Sequence, residues 1–149
     1  MQLEKVFRLT SHVTPPVLVG PTPTGVRQFV GSRRTTAVGE TLDAEAAPGG
    51  GDWITVDGAG WAHPGVRYLL QTHDGAVISL EGTGLMDAEA VGKALQEGLT
   101  TDFGEAYLRL SITLQTSDER YAWVNGSLFI GEGRLQAGPS IEYDVYRVR

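Results

Sequence analysis

Two residues of opposite charge lie close together in the sequence and could carry out acid–base chemistry. Asp52 follows three consecutive glycines in PGGGDW (48–53), and Arg67 stands in the next apolar segment, VRYLLQT (66–72). A desolvated Asp–Arg pair keeps the carboxylate ionised and could orient an oxyanion or enol of a substrate. The pair could equally be structural, and Asp52 could instead cap its own turn. We predict that both side chains share the inner face of a sheet within about 4 Å, as candidate base and oxyanion stabiliser.

The stretch YAWVNGSLFIG (121–131) has two interpretations. Its Asn125-Gly126 pair is typical of a two-residue hairpin turn. Its alternation would instead make one strand that carries Tyr121, Trp123 and Asn125 on a single face. Two rings and an amide on one face suit a flat, partly polar small molecule, whereas packing of the rings in the core is the alternative.

The sequence contains no motif for a metal or a nucleotide cofactor. Cysteine is absent, and the three histidines, His12, His63 and His73, lack the close spacing of metal ligands. There is no Gly-x-Ser-x-Gly elbow, no dinucleotide fingerprint and no triphosphate-binding loop. We therefore expect chemistry without a metal or cofactor.

Composition narrows the choice of partners. The 149 residues are 41% apolar and 20% charged, with a net charge of −6 and no basic run. Nucleic acid is not an expected partner, because phosphate binding needs clustered Lys and Arg. The first ten residues alternate between charged and apolar positions and contain no apolar core of a signal peptide. No apolar stretch reaches the roughly 20 residues that span a bilayer. A soluble cytoplasmic protein is the expectation.

The candidate residues must be positioned by strands, because 20 glycines and seven prolines punctuate short alternating segments. One helix is predicted between Asp87, a suitable N-cap, and Gly98, a suitable C-terminal stop. Nine strands are predicted: 3–13, 26–31, 36–46, 52–56, 66–72, 76–82, 107–116, 121–131 and 140–149. Because one helix cannot cover both faces of an open sheet, closure into a barrel or a sandwich is expected. We favour an all-β fold: a single closed antiparallel barrel of about eight or nine strands over residues 1–149, in which the first and last strands pair.

Several of these segments together resemble the family called domain of unknown function 3237, or uncharacterised protein family 0311. The segments are VGPTPTGVR (19–27), PGGGDW (48–53), VRYLLQTHDGAVI (66–78), RYAWVNGSLFIGEGR (120–134) and YDVYRV (143–148). The resemblance covers nearly the whole chain. It implies a small calycin-like or cyclase-like barrel that is often dimeric, so a homodimer is expected.

The resemblance also extends the set of candidate site residues. The family's recurrent polar and aromatic positions are matched here by Arg27, Asp52, Trp53, Arg67, Tyr68, Tyr121, Trp123 and Asn125. It implies that the segment around Asn125 continues as a strand rather than turning. The chain departs from the family pattern at Arg34-Thr35, at Ala44 and in LQTSDERY (114–121), which could alter the mouth of the barrel.

Three functions fit these observations. The first is a cofactor-independent isomerase, lyase or cyclase that acts on a carbonyl-containing metabolite. The second is a non-catalytic carrier or sensor of a small ligand, and the third is a structural or interaction domain with a filled barrel. One strand discriminates between them: if Arg109, Ser111, Thr113 and Gln115 point inward, the barrel holds a wet and reactive cavity, and if they point outward, they form a solvent face.

Overall fold

The computed structural model describes all 149 residues, and strands dominate it. The elements are, in order, β1 (Leu3–Val13), β2 (Val17–Thr22), β3 (Gly25–Val38), β4 (Asp43–Ala46), β5 (Gly51–Val56), β6 (Trp61–His63), β7 (Gly65–Thr72), β8 (Val77–Asp87), α1 (Ala88–Glu97), β9 (Leu108–Gln115), a 3₁₀ helix (Glu119–Gly126), β10 (Leu128–Gln136) and β11 (Ser140–Val148). No helix is long and apolar enough to cross a membrane.

All eleven strands belong to one antiparallel sheet that closes on itself. β1 pairs with β11 along its whole length, from Leu3 opposite Val148 to His12 opposite Ser140. Its other edge pairs with the second half of β3, so the sheet has no free edge at this point. The predicted closed barrel, its single α-helix and the pairing of the first and last strands are confirmed.

The strand count exceeds the prediction of eight or nine for local reasons. The proline-punctuated segment 15–25, which lies outside the nine predicted strands, contains β2. This strand pairs only with β3 and lies at the end of the strand order. An edge position tolerates proline, which has no N–H to donate. The segments predicted as strands 26–31 and 36–46 form one long strand, β3, followed by the short β4. The glycine-rich segment 57–65, also outside the predicted strands, contains the three-residue β6.

The barrel interior is built by simple alternation of side chains. On β9, Leu108, Leu110, Ile112 and Leu114 are each at most 2% exposed and belong to the core. Their polar neighbours on the same strand therefore point outward and form a solvent face. Because the polar side chains of β9 point outward, β9 does not line a wet cavity. The polar residues of any site inside the barrel must therefore come from other strands.

Helix α1 packs over part of the barrel and ends where the sequence predicts. The Asp87 carboxylate accepts a hydrogen bond of 3.1 Å from the Ala90 N–H, which caps the first turn. Gly98 adopts a left-handed conformation with φ of 66°, and its N–H donates to the Ala94 carbonyl. The helix thus presents its apolar side, with Val91 and Ala94 buried, to the barrel core.

The segment 121–131 is neither one strand nor a hairpin, and both sequence interpretations were wrong. Its first part forms the 3₁₀ helix, and β10 begins only at Leu128. Side chains hold this conformation locally. Asp118 caps the helix by accepting from the Arg120 N–H at 2.9 Å. Asn125 accepts from the Thr116 N–H and donates to the Thr116 carbonyl, both at 2.9 Å. Such bonds between side chains and backbone compete with strand pairing.

Candidate functional site

A cavity of about 460 Å³ lies within the barrel beside helix α1. Of the 24 residues that line it, 14 are hydrophobic, so it suits a largely apolar small molecule. Its side chains with polar groups are few: Ser11, Thr14, Gln28, Arg33, Asp52, Tyr68, Gln96 and Tyr143. The exposed lining residues Pro15, Arg33 and Gln96 mark the mouth, whereas Asp52 and Tyr143 lie at depth.

Asp52 is the only carboxylic acid in the cavity lining. It shares the inward face of β5 with Ile54 and is only 8% exposed. Its carboxylate accepts one hydrogen bond, of 3.0 Å, from the Gly65 N–H. Burial raises the pKa of the Asp52 carboxyl from 3.8 to about 7, and the Gly65 hydrogen bond opposes that rise only in part. Because both protonation states are populated near neutral pH, the group can accept a proton and return it.

Tyr143 contributes a hydroxyl group that has no hydrogen-bond partner. The residue lies on β11, is 5% exposed and lines the same cavity. Burial raises the pKa of its phenol, and the nearby Asp52 carboxyl and Tyr68 hydroxyl raise it further. The hydroxyl therefore keeps its proton and is available as a donor. A buried polar group without a partner is unusual and calls for an explanation, such as a ligand.

A glycine opposite Tyr143 gives its ring room. Gly133 is paired with Tyr143 across β10 and β11. A Cβ at Gly133 would come within 2.6 Å of the Tyr143 ring and 2.8 Å of Leu108. Any larger residue would force the ring to move. The Gly-x-Gly of GEGR therefore has a packing role, namely to position Tyr143.

Tyr68 is held in the cavity wall by a chain of hydroxyl groups. Its phenol oxygen lies 3.2 Å from the Ser11 hydroxyl, which lies 2.9 Å from the hydroxyl of Thr35. The Thr35 hydroxyl in turn lies 2.6 Å from that of Ser32. This chain fixes the Tyr68 ring through strands β1 and β3. Gly50 leaves space for the ring, so this glycine of PGGG admits an aromatic side chain rather than a ligand.

The predicted Asp52–Arg67 ion pair was wrong. Asp52 is paired with Val66 and Gly51 with Arg67, so the two charged side chains leave opposite faces of the sheet. Arg67 is exposed and lines a shallow outer depression together with Trp53, which is 40% exposed. Neither Arg67 nor Trp53 reaches the cavity, and the carboxylate of Asp52 has no cationic partner.

The remaining predicted ligand-binding residues also lie outside the cavity. Arg27 donates a hydrogen bond of 3.1 Å to the Thr55 hydroxyl. Tyr121 donates from its hydroxyl to the carboxylate of Asp74 at 2.9 Å. These contacts account for both side chains without a ligand.

Trp123 and Asn125 have structural contacts as well. The Trp123 ring meets Phe129 edge-on, with 6.1 Å between centroids, and the Arg147 guanidinium lies 5.4 Å from its ring centroid. Asn125 holds the backbone of Thr116, as described above. Of the eight residues predicted for the site, the structure brings only Asp52 and Tyr68 together in the cavity.

The sequence reasoning missed six of the lining residues that have polar side chains: Ser11, Thr14, Gln28, Arg33, Gln96 and Tyr143. Tyr143 had a usable signal. It lies two residues from both Ile141 and Val145 on the closing strand, and this spacing places all three side chains on one face.

Two of the histidines make surface contacts with carboxylates: His63 with Asp57 at 2.8 Å and His73 with Asp43 at 2.6 Å. No group of three or more His, Cys, Asp or Glu residues is placed to hold a metal ion.

The chain is thus a small closed β-barrel protein with an interior cavity and a buried acid in the cavity lining. The chain belongs to the family described as protein of unknown function (DUF3237), whose profile matches residues 1–148. It is 28% identical to a UPF0311 protein of Clostridium acetobutylicum over 132 residues, which is 87% of this chain and 84% of that protein. The family resemblance in the sequence is thereby confirmed.

Solved structures share the fold. A β-barrel-like protein of Acinetobacter baumannii superposes with a TM-score of 0.81 at 30% identity, covering 99% of this chain and 96% of that one. A protein of unknown function from Rhodopseudomonas palustris gives a TM-score of 0.88 at 24% identity, covering 100% and 99%. An enzyme from Penicillium herquei gives 0.69 at 18% identity, covering 100% and 96%.

Proposed function

We propose that this protein is a cofactor-independent acid–base enzyme that acts on a largely apolar, carbonyl-containing small molecule. One observation carries the proposal: a buried carboxyl with a pKa near neutrality and a buried, unpartnered hydroxyl face the same apolar cavity. A base and a hydrogen-bond donor in one cavity are the two groups that enolisation needs.

The chemistry follows from the protonation states of these two groups. The Asp52 carboxylate removes a proton from the carbon next to the carbonyl, and the Tyr143 hydroxyl donates a hydrogen bond to the carbonyl oxygen as negative charge develops there. Asp52, now protonated, returns the proton to another atom of the substrate. Return of the proton to another carbon gives an isomerisation. If the bond from the neighbouring carbon to a leaving group breaks and the leaving group takes the proton, the result is an elimination. If the enolate first attacks a second carbonyl carbon of the substrate and the new alkoxide takes the proton, the result is a ring closure. Tyr68, fixed by its hydroxyl chain, shapes the wall beside the reacting atoms.

One structural neighbour with this fold is an enzyme. Because the Penicillium herquei protein is catalytic, the fold is compatible with enzyme activity. At 18% identity the likeness concerns the fold, so the argument for this chain rests on its own Asp52 and Tyr143.

A non-catalytic carrier or sensor is the second candidate function. The predominance of apolar residues in the lining favours it, because apolar walls bind a ligand without acting on it. A filled barrel, the third hypothesis, is disfavoured by a cavity of about 460 Å³.

Proton exchange on a simple ketone separates enzyme from carrier. The bicyclic ketone β-tetralone is apolar and has acidic protons beside its carbonyl, and its exchange in D₂O is followed by proton NMR. We expect the wild type to accelerate exchange, Asp52→Asn to lower the rate by about 100-fold or more, and Tyr143→Phe to lower it by roughly 100-fold. The matched control is Asp102→Asn, which removes an exposed carboxylate and leaves the rate unchanged.

Binding of β-tetralone to the protein is measured in the same samples as its exchange. Chemical-shift changes of residues that line the cavity report whether the ketone enters. If β-tetralone binds there but exchanges no faster with the wild type than with Asp52→Asn, the enzyme proposal is wrong and the carrier function is favoured.

A further inference from the structure

One positively charged side chain lines the cavity, and it lies at the mouth. Arg33 is the only Lys or Arg among the lining residues, and it is exposed. It forms no salt bridge, whereas the next residue, Arg34, pairs with Glu45 at 3.0 Å. Arg33 is therefore a free cation beside an apolar cavity.

An irregularity in the sheet accounts for the direction of Arg33. Along β1 and β3, His12 pairs with Arg34 but Val13 pairs with Ser32, which leaves Arg33 without an opposing residue. This is a β-bulge, a feature that redirects a side chain relative to its strand. The bulge lies where Arg33 enters the lining of the cavity, to which Thr14 and Pro15 of the β1–β2 connection also belong.

The surrounding charge makes this arginine selective. The chain as a whole has a net charge of −6, so its average field repels anions. Inside the cavity, the only carboxyl is Asp52, which lies at depth and whose pKa burial raises to about 7. An acidic group on a ligand would thus find attraction only at the mouth. A guanidinium also matches the planar, two-oxygen geometry of a carboxylate.

We propose that Arg33 binds an acidic group of the ligand, so that the substrate class is an apolar carbonyl compound bearing a carboxylate. The apolar body fills the cavity, the carbonyl reaches Asp52 and Tyr143, and the carboxylate stays at the mouth against Arg33. This inference rests on the proposed function for the position of the carbonyl, but the selectivity for anions can be tested separately.

Two fluorescent probes that differ only in a negatively charged sulfonate group test the selectivity for anions. Anilinonaphthalenesulfonate is an anion, and phenylnaphthylamine is the same ring system without the sulfonate. Displacement of each probe by β-tetralone shows that it occupies the cavity. The variants are Arg33→Gln, Arg33→Lys to keep the charge, and Arg34→Gln as the matched control on the adjacent, already paired arginine.

We expect Arg33→Gln to weaken binding of the anionic probe by about fivefold or more and to change binding of the neutral probe by less than about twofold. Arg33→Lys should recover most of the lost affinity, and Arg34→Gln should leave both affinities unchanged. Added salt should weaken the binding of the anionic probe but not that of the neutral probe, because salt screens the exposed charge of Arg33.

Equal effects of Arg33→Gln and Arg34→Gln on the anionic probe would overturn the inference, and so would failure of the anion to bind the wild type. Because β-tetralone carries no charge, the exchange assay tests Asp52 without involving Arg33. Failure of anion selectivity and failure of the proposed enzyme activity are therefore distinguishable.

Discussion

Replacement of Asp52 by asparagine should stabilise this protein at neutral pH, and the stability of the variant relative to the wild type should increase with pH. The carboxyl has a folded-state pKa of about 7 against an ordinary 3.8, because burial disfavours its charged form. Asparagine keeps an oxygen that can accept from the Gly65 N–H and cannot ionise. The variant removes the cost of a buried charge and retains the hydrogen bond of 3.0 Å.

The sign follows from proton binding. Between the two pKa values the folded state holds the proton on Asp52 while the unfolded state has lost it, so stability falls as pH rises. Below pH 3.8, Asp52 is protonated in both states and does not lower the free energy of unfolding. The loss of stability is complete once the pH has passed about 7. Each pKa unit corresponds to about 1.4 kcal/mol, which gives a total cost of about 4 kcal/mol. From about pH 5 to about pH 8, the stability difference between variant and wild type should widen by about 3 kcal/mol.

Urea denaturation of both proteins at several pH values measures this difference directly. The asparagine NH₂ group has no assigned partner, so a constant offset of about 1–2 kcal/mol against the variant is expected at every pH. The slope with pH is unaffected by that offset and is the decisive quantity. Asp102→Asn, on the surface, is the control. A stability difference that stays flat between about pH 5 and about pH 8 would refute the raised pKa and the burial argument behind it.

Three further substitutions test other parts of the structure by thermal or urea denaturation. Tyr143→Phe removes a buried hydroxyl that has no partner and should stabilise the fold by about 1 kcal/mol; destabilisation would mean that the hydroxyl is satisfied. Asn125→Ala removes two hydrogen bonds to the Thr116 backbone and should cost about 1 kcal/mol with no change in probe binding; altered binding would return Asn125 to the site. Gly92→Ala, inside α1 where an added Cβ meets nothing within 4 Å, should raise stability by about 0.5–1 kcal/mol; a loss would indicate a contact at that position.

The fold was predictable where one local rule dominated. The alternation of β9 and the two caps of α1 appear in the structure as the sequence indicated. The pairing of β1 with β11 followed from the need to remove free edges. The 3₁₀ helix could not be foreseen in this way, because Asn125 and Asp118 bond to backbone groups whose positions depend on the fold around them.

Only Asp52 and Tyr68 of the eight predicted site residues line the cavity, and the error in the predicted Asp52–Arg67 pair has a physical reason. Val66 and Tyr68 alternate with Arg67, so the apolar residues of β7 already assigned Arg67 to the outer face. Ile54 likewise placed Asp52 on the inner face of β5. Alternation within each strand was therefore the stronger signal, and charge complementarity between neighbouring segments the weaker one. The spacing of Ile141, Tyr143 and Val145 places the Tyr143 side chain on the inner face of the closing strand, but no pattern in the sequence places it in the same cavity as Asp52.

The two central groups of the cavity are both unfavourable for the fold. An ionised Asp52 costs about 4 kcal/mol, and an unpartnered buried hydroxyl at Tyr143 costs about 1–3 kcal/mol. Together these approach the 5–15 kcal/mol by which a domain of ordinary stability exceeds its unfolded state. A carbonyl ligand would give Tyr143 an acceptor, and a ligand at 100 times its Kd would add about 2.7 kcal/mol of stability. Binding at that concentration would offset roughly half of the unfavourable free energy of the two groups, which is the direction expected if the cavity is built for a ligand rather than for the fold.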